Sequence, residues 1–280
     1  MKEKYSEINI EHTINSGQVF LWNKIGRQWY GIDGENVLVI DEKTSKFENQ
    51  NEFHFFRQDD NFKEILFNLK KDEIVKKAIN MFPGIRLLRQ DPFQCYISFI
   101  VSTNSNIPNI KTRLQNLCIK FGSRKKINSK EFFVFPEAKV ISKATISEIL
   151  SCGVGYRAKA IKAASTRVAK KEIDFENLKK MNYHESKQEL LQVFGIGNKV
   201  ADCILLFSLD KLEAFPLDRW MLRILQKYYS KKFKVSSKTI TDGTYENIHE
   251  KVVEYFGKYA GYSQQFLFKM ERELNNKKWL

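Results

Sequence analysis

The strongest constraint on the fold is a change in hydrophobic patterning about sixty residues into the chain. Before this point, short runs of aromatic and β-branched residues alternate with turn residues, as in antiparallel strands. These runs cover residues 19–22, 28–32 and 37–40. Asp33-Gly34 separates the second run from the third, and this pair readily adopts the positive φ angle of a tight hairpin turn. The sequence therefore predicts a small antiparallel sheet near the start of the chain.

Beyond that point, apolar residues recur every three or four positions, which is typical of amphipathic helices. Asp91 and Pro92 suit the N-cap and the first position of a helix, and Thr145 opens a segment that matches a capping box. Further helical patterns cover residues 157–171, 184–193, 199–209, 219–229, 245–256 and 259–275. We predict an α+β fold, with an N-terminal antiparallel sheet domain with flanking helices in residues 1–80 and an all-helical body in residues 81–280.

Composition and charge narrow the class of protein. The chain has 280 residues, of which 42% are hydrophobic and 29% charged, so it can form a sizeable core and is not intrinsically disordered. No apolar run approaches the roughly 20 residues of a membrane span, and residues 1–9 lack the apolar core of a signal peptide. We therefore expect a cytoplasmic protein. Its net charge of +14 favours a polyanionic partner, with nucleic acid as the first candidate.

The four cysteines are too far apart in the sequence for a typical metal site. Cys95, Cys118, Cys152 and Cys203 are separated by 23, 34 and 51 residues, whereas ligands of zinc and iron–sulfur sites often stand about two to four residues apart. The same gaps are unlike those of a disulfide framework. We predict reduced thiols, no metal site and no cofactor.

A glycine-containing turn between two predicted helices, at about residues 186–209, is the most informative segment. Gly195 and Gly197 permit a tight turn and a close approach of a ligand to the backbone. Amides at the start of the next helix, as far as Val200, attract an anion, which on a basic protein would be a DNA phosphate. This pattern is typical of a DNA-binding helix-hairpin-helix, although two packed helices joined by a glycine turn would share it.

Two polar side chains near this turn indicate chemistry. Lys199 lies in the first turn of the second helix, where the helix dipole lowers the pKa of an amine and favours a nucleophile. Asp218 precedes the helix 219–229 and could stabilise positive charge or transfer protons. Each has a simpler explanation alone, an exposed lysine and a helix N-cap. Together they form a nucleophile and a carboxylate after a Gly-x-Gly turn, and Cys203 shares the helix face of Lys199.

Several longer motifs occur in one consistent order between residue 16 and about residue 275. They are Ser16-Gly17-Gln18-Val-Phe20-x-Trp22, Arg86 to Pro92, Ser98-Phe-Ile, Ser102-Thr-Asn104-Ser-Asn106-Ile, Gly153-Val-Gly155-Tyr156-Arg157-Ala, Gly195 to Cys203, Leu209-Asp-Lys211, Pro216-Leu-Asp218 and Gly261-Tyr-Ser-Gln264-Gln-Phe-Leu-Phe268. With these motifs in this order, the sequence resembles the 8-oxoguanine DNA glycosylase/lyases of the helix-hairpin-helix superfamily. The resemblance extends over nearly the whole chain.

The resemblance implies a bifunctional DNA repair enzyme. Such an enzyme acts on double-stranded DNA, excises 8-oxoguanine opposite cytosine and cleaves the strand at the abasic site. Lys199 would attack C1′ of the damaged nucleotide and form a Schiff base that permits β-elimination, while Asp218 would support the oxocarbenium-like charge. The resemblance also implies a monomeric, nucleoid-associated protein with no membrane partner.

The resemblance implies a base pocket formed by four residues. The last helix of the chain closes this pocket. Cys203 and Phe268 would lie on the two faces of the purine, and Gln264 would read its Watson–Crick edge. The carbonyl of Gly17 would accept a hydrogen bond from the N7 proton, which 8-oxoguanine has and guanine lacks. Guanine would instead face that carbonyl with a second acceptor, so the contact favours the lesion.

Three further residues would manage the extruded nucleotide. Extrusion costs a few kcal/mol of stacking and pairing. By resemblance, Tyr156 is the wedge, Asn104 fills the vacated space, and Arg157 reads the orphaned cytosine.

Three positions depart from the family pattern. Phe194 replaces a proline before the glycine turn, and Trp220 replaces a histidine that commonly contacts phosphate. Asn109 replaces a second arginine that reads the orphaned cytosine, so we expect a less strict preference for the opposite base.

Two other functions remain open from the sequence. A glycosylase for alkylated bases shares the architecture but uses the aspartate without a hairpin lysine, so Lys199 argues against it. A non-catalytic DNA-binding protein would explain the net charge and the glycine turn but not Lys199, Asp218 and Gln264. The closely spaced cysteines of endonuclease III-like relatives, which bind an iron–sulfur cluster, are missing.

Overall fold

The computed structural model describes residues 8–43, 47, 49–235 and 240–275. Its strands are β1 (Trp22–Ile25), β2 (Gln28–Asp33), β3 (Asn36–Asp41), β4 (Arg124–Ile127) and β5 (Lys130–Phe133). Its α-helices are α1 (Ile10–Ile14), α2 (Gln50–Phe55), α3 (Phe62–Leu69), α4 (Glu73–Met81), α5 (Pro92–Ser102), α6 (Ile107–Phe121), α7 (Ala138–Lys143), α8 (Ile146–Ile149), α9 (Ala158–Ala169), α10 (Phe175–Lys180), α11 (Tyr183–Leu191), α12 (Asn198–Ser208), α13 (Arg219–Tyr229), α14 (Asp242–Phe256) and α15 (Ala260–Leu274).

The N-terminal sheet is antiparallel with the order β1-β2-β3. The predicted turn at Asp33-Gly34 is confirmed, since Asp33 pairs with Asn36 and Gly34 has a φ of 57°. The first strand begins at Trp22, later than the predicted run 19–22. In its register, Trp22 lies opposite Gly31. Only glycine fits there: a Cβ at position 31 would lie 2.0 Å from Trp22 Cε2.

The helical body follows the predicted order, and the α+β fold class is confirmed. Helix α13 has the predicted bounds, with Asp218 as its N-cap, and the capping box at Thr145 is present. The body also contains the antiparallel pair β4 and β5, which the sequence analysis did not predict. These strands are short and mostly polar, so they carry little of the apolar signal by which strands are recognised. Phe132 of β5 stacks on Tyr30 of the N-terminal sheet, with ring centroids 5.3 Å apart.

Two hydrophobic clusters form the core. The smaller one surrounds the sheet and includes Trp22, Trp29 and Phe56. The larger one fills the helical body and includes buried side chains of α3 and α4, although α3 precedes the predicted boundary at residue 80 and α4 crosses it. The boundary itself stays a prediction. Within the described ranges, no helix is long and apolar enough to cross a membrane.

Helix α15 packs against both α12 and the N-terminal segment at Ser16. The amide of Gly261 donates to the carbonyl of Leu212 over 2.9 Å, and a Cβ there would lie 2.2 Å from Leu206 Cδ1. Glycine therefore allows α15 to begin directly against α12. One turn later, Gln265 Nε2 donates to the carbonyl of Ser16 over 2.8 Å. These contacts bring residue 17 towards the helix that carries Lys199.

Candidate active site

Lys199 is the second residue of α12 and is partly buried. Its Nζ lies 3.5 Å from the Oγ of Ser102, at the end of α5, and 5.1 Å from the centre of the Phe99 ring. The amine therefore lies against the interior of the protein, between α12 and α5.

Asp218 combines a structural and an electrostatic role. Its Oδ1 accepts a hydrogen bond of 2.8 Å from the amide of Met221, which caps α13. Burial raises the pKa of the carboxyl, while the ammonium of Lys199 is the largest influence that lowers it. The carboxylate is thus within electrostatic reach of the amine. Both sequence interpretations of Asp218, the N-cap and the partner of Lys199, are compatible with this geometry.

Cys203 lies one turn after Lys199 and is only 2% exposed. Burial raises the pKa of its thiol to about 12, and the neighbouring ammonium of Lys199 partly opposes this shift. A thiol with such a pKa is protonated at neutral pH and is a poor nucleophile. Cys203 therefore acts as an apolar surface beside the amine.

Gly17 and Phe268 are in contact although 250 residues separate them. Gly17 has a φ of 91°, and a Cβ at this position would lie 2.9 Å from Cε1 of Phe268. A side chain at position 17 would therefore meet both backbone strain and this ring. The glycine exposes its backbone to the space that Phe268 borders.

Gln264 is 5% exposed and lies one turn before Phe268 on α15. Its Oε1 has no hydrogen-bond partner among the described residues. A buried acceptor without a donor costs free energy unless a ligand supplies the donor. The amide is therefore available to a donor group entering from outside the chain.

Asn104, Tyr156 and Arg157 form one group at the end of α5. Asn104 is exposed and has a φ of 47°, a left-handed conformation that asparagine tolerates better than most residues. Tyr156 is 68% exposed, and its hydroxyl lies 3.5 Å from the carbonyl of Thr103. Such exposure is unusual for a large aromatic side chain and leaves the ring free to contact a partner.

Arg157 has most of its donors engaged within the protein. Its guanidinium lies 4.5 Å from the centre of the Tyr156 ring. Nε and Nη2 donate to the carbonyl of Thr103, and Nη2 also donates to that of Asn104 over 3.3 Å. In this arrangement Arg157 fixes the segment that presents Asn104. Reading a cytosine would require these donors to be shared or released.

The glycine turn has two different glycines. Gly195 has a φ of 87°, and a Cβ there would lie 2.6 Å from the Cβ of Ala160, so the fold itself requires it. Gly197 has a φ of −102° and open space where a Cβ would lie, so nothing among the described residues requires a glycine there. A ligand approaching the amides of the first turn of α12 would explain its presence.

Val200 has both its amide and its side chain engaged within the protein. Its amide already donates to the carbonyl of Gly197 over 3.0 Å, and its side chain is buried. The amides of Asn198 and Lys199 are better placed by helix position, because the first amides of a helix have no intrahelical acceptor. In the parts of the chain that the structure describes, no group of three or more metal-ligating side chains is arranged to hold an ion.

Comparison with known proteins places this geometry in a family. Residues 1–96 match the family model for the N-terminal domain of 8-oxoguanine DNA glycosylase. The N-glycosylase/DNA lyase OGG1 of Arabidopsis thaliana is 29% identical, over 96% of this chain and 78% of that protein. The structure of MBOgg1 in complex with a low-affinity DNA ligand is 30% identical, with a TM-score of 0.87, and 96% of this chain covers 93% of it.

A structure from Clostridium acetobutylicum decides the assignment. It is the 8-oxoguanine glycosylase/lyase in complex with double-stranded DNA containing cytosine opposite 8-oxoguanine. It is 31% identical, has a TM-score of 0.86, and is matched over 96% of this chain and 93% of its own. The chain belongs to the 8-oxoguanine DNA glycosylase family. The family resemblance inferred from the sequence is thereby confirmed.

The three departures from the family pattern each have a visible structural setting. Trp220 packs edge-on against Phe268, with ring centroids 6.4 Å apart, so it supports that ring. Phe194 is 67% exposed beside the glycine turn. Asn109 is exposed in the first turn of α6, where its amide donates to Asn106 Oδ1.

A buried polar network behind the site was missed by the sequence analysis. Asp202 is fully buried and accepts hydrogen bonds from the hydroxyls of Tyr183 and Tyr245. Lys187 Nζ lies 3.3 Å from its Oδ1. The network thus joins both helices of the hairpin to α14. The sequence signal for this network is an aspartate between Lys199 and Cys203 on an otherwise apolar helix. The sequence does not show which residues pair with that aspartate.

Gln18 is a second positioning residue that the sequence analysis gave no role. Its Nε2 donates to the Oγ of Ser16 and the carbonyl of Arg86, and its Oε1 accepts from the amide of Leu88. Gln18 is fully buried, so these bonds hold the segment beside Gly17 in one conformation. The backbone of Gly17 is therefore preorganised in the free protein.

Proposed function

We propose that this protein excises 8-oxoguanine from double-stranded DNA and then cleaves the strand at the abasic site. The observation that carries the proposal is the position of Lys199, which lies inside the fold next to Cys203 and within electrostatic reach of Asp218. A lysine that served only to bind DNA would be expected to project into solvent, not to lie partly buried beside Cys203. The membership of the 8-oxoguanine DNA glycosylase family supports the same reaction.

Lys199 would act as the nucleophile in its neutral form. The Nζ lone pair forms a bond to C1′, and the bond from C1′ to the base nitrogen breaks with its electron pair remaining on the base, which takes up a proton. Nζ then loses a proton, the C1′–O4′ bond breaks with its electron pair going to O4′, which takes up a proton, and the C1′–Nζ double bond of a Schiff base with Lys199 forms. Removal of a proton from C2′ expels the 3′ phosphate by β-elimination, and water hydrolyses the Schiff base.

Asp218 would stabilise the positive charge that develops on the sugar as the base departs. A carboxylate in a partly buried site acts more strongly on such a charge than one in water. The hydrogen bond from the Met221 amide fixes Oδ1. The helix cap therefore also sets the orientation of the second carboxylate oxygen before a substrate binds.

The pocket would recognise the oxidised base on both edges. The unpaired Oε1 of Gln264 suits the N–H donors of the guanine Watson–Crick edge, and the carbonyl of Gly17 suits the N7 proton. Phe268 and Cys203 supply apolar faces for the purine. In the free protein the Phe268 ring lies so close to Gly17 that a Cβ there would be 2.9 Å from Cε1, so only a glycine leaves room for a base edge between them.

Extrusion of the nucleotide would use the group at the end of α5. Tyr156 and Asn104 are exposed and adjacent, which suits a wedge and a space-filling amide. Arg157 would read the orphaned cytosine after giving up some of its backbone contacts. Because Asn109 is not an arginine, we propose a relaxed preference for the opposite base.

The glycine turn would bind a backbone phosphate through the first amides of α12, with Gly195, Gly197 and Val200 shaping the turn.

We further propose that the protein acts as a monomer on nucleoid DNA in the cytoplasm, with residues 1–80 and 81–280 as its two structural parts. The net charge of +14 supports a DNA partner.

Borohydride trapping tests the chemistry. The wild-type protein is incubated with a duplex containing 8-oxoguanine opposite cytosine, and the Schiff base is reduced to a stable covalent complex. We expect a trapped complex that is absent in Lys199→Gln and retained in Lys180→Gln, a control at an exposed lysine at the end of α10. Base release without trapping would indicate a glycosylase that uses only the aspartate. Neither release nor trapping would indicate a binding protein.

A further inference from the structure

Arg272 has a guanidinium nitrogen without a hydrogen-bond partner at the edge of the base pocket. The residue lies one helical turn after Phe268 on α15, and its guanidinium is 5.5 Å from the centre of that ring. Nη1 is buried, and it has no hydrogen-bond partner among the described residues. Because an unpaired buried donor on a charged group is costly, a ligand acceptor is expected at this position.

The position of this nitrogen is defined by Gly17. A Cβ at residue 17 would lie 3.0 Å from Nη1 of Arg272 and 2.9 Å from Phe268 Cε1. Arg272 and Gly17 also line the same cavity of about 660 Å³. Nη1 therefore lies beside the backbone of Gly17, whose carbonyl would meet N7, whereas Gln264 would read the Watson–Crick edge.

The other cations around this cavity have partners. Lys269 Nζ lies 2.6 Å from Glu273 Oε1, and Lys111 Nζ lies 3.4 Å from the carbonyl of Trp22. Burial lowers the pKa of the Arg272 guanidinium, and the carboxylates of Glu273 and Asp218 partly oppose this shift. Neither forms a hydrogen bond to Nη1. Among the described residues that line this cavity, Arg272 thus has a buried guanidinium nitrogen without a hydrogen-bond partner.

We propose that Arg272 recognises the oxidised position of the lesion by donating a hydrogen bond from its guanidinium to the C8 carbonyl oxygen. This inference rests on the proposed function, in which the carbonyl of Gly17 accepts from N7–H. In 8-oxoguanine the C8 carbonyl is adjacent to N7–H on the same edge of the ring, so a donor beside Gly17 faces it. Guanine has a C8–H group there, which cannot accept a hydrogen bond and leaves the guanidinium unpaired.

A DNA phosphate is the main alternative acceptor, and the burial of Nη1 argues against it. A phosphate of the backbone remains at the protein surface, whereas Nη1 is buried, and a Cβ at residue 17 would lie 3.0 Å from it. The two acceptors also differ in one consequence. A contact to the base is lost once the base has left, whereas a contact to phosphate persists at an abasic site.

The test compares two activities of one protein preparation. Arg272→Leu is assayed for single-turnover excision of 8-oxoguanine and for cleavage of a preformed abasic site. Arg124→Leu, at an exposed position on β4, is the matched control. We expect about 10- to 100-fold slower excision, as for the loss of a charged hydrogen bond, with abasic-site cleavage within about twofold of wild type. The control is expected to match wild type in both assays.

Equal loss of both activities would place Arg272 on the DNA backbone or in a structural role and would overturn the proposal. Unchanged excision would overturn it too. Affinity gives an independent measurement in a Lys199→Gln background, where no base is released. There, Arg272→Leu should reduce the preference for 8-oxoguanine over guanine and leave binding to a duplex with a tetrahydrofuran abasic analogue unchanged. A wild-type protein that does not excise 8-oxoguanine would instead refute the proposed function, and the assignment of Arg272 with it.

Discussion

The hydroxyl of Tyr245 donates a 2.5 Å hydrogen bond to the carboxylate of Asp202. The same hydroxyl accepts a bond of 3.0 Å from the amide of Leu217, the residue before Asp218. One side chain of α14 thereby connects the helix that carries Lys199 to the segment that carries Asp218. The relative position of the two proposed catalytic groups depends on this buried link.

Replacing Tyr245 with phenylalanine tests that link. The change removes a donor to buried Asp202 and leaves the Leu217 amide unpaired, so we expect the free energy of unfolding to fall by about 1–3 kcal/mol. We also expect slower excision, because Asp218 is less firmly placed. Thermal denaturation and single-turnover kinetics measure the two effects. Tyr259→Phe is the control: its hydroxyl binds Glu64 near the surface, and both quantities should stay close to wild type.

Asp218→Asn separates the two roles of this residue. Asparagine is as good an N-cap as aspartate, so we expect the stability to change by no more than about 0.5 kcal/mol. Excision should fall by about 100-fold or more, because a neutral amide cannot stabilise the developing positive charge. Asp174→Asn, at the N-cap of α10, should alter neither. Full activity in Asp218→Asn would show that the residue serves only as a cap.

Gly197→Ala tests whether the glycine turn binds phosphate. The φ of −102° suits any residue, and a Cβ would meet no atom within 4 Å, so we expect an unchanged melting temperature. A methyl group in front of the amides of α12 should lower the affinity for undamaged duplex about tenfold, or about 1.4 kcal/mol. Gly243→Ala, where a Cβ also has open space, is the control for titrations by fluorescence anisotropy. Equal affinities of all three proteins would mean that the turn does not contact DNA.

The stability of the fold should depend on pH through Asp33. Burial, with a smaller contribution from Asp91, raises the pKa of the Asp33 carboxyl from 3.8 to about 7. The folded state therefore retains a proton that the unfolded chain releases, so this contribution to stability is complete below pH 3.8 and is lost as the pH rises through about 7. Asp33→Asn mimics the protonated form and can still accept from the Asp91 amide. We expect it to raise the melting temperature at pH 8 by a few degrees, about 2–4 °C.

The difference between variant and wild type should shrink as the pH is lowered towards 4, because Asp33 then becomes protonated in the unfolded wild-type chain as well as in the folded state. Melting curves of both proteins between pH 5 and pH 8 measure this convergence. A constant difference across that range would show that Asp33 does not titrate as described.

The local features of the site could be predicted from the sequence. The turn between α11 and α12, the N-cap at Asp218 and the bounds of α13 all follow from residues within a few positions of one another. Helix periodicity, caps and glycine turns are local properties, so they are visible in a single sequence. The roles of the pocket residues were expected by family resemblance and stay predictions.

Contacts between distant segments depended on the tertiary structure. Neither Gln18, which holds the Gly17 segment, nor Tyr245, which connects Asp202 to Leu217, has a local pattern that names its partner. The same holds for Arg272, whose unpaired donor is recognisable only once α15 has packed beside Gly17. The sequence by itself determined which helices and turns form, because those depend on neighbouring residues. Packing decided which of their side chains meet, because burial and hydrogen bonding act between residues that the chain order leaves far apart.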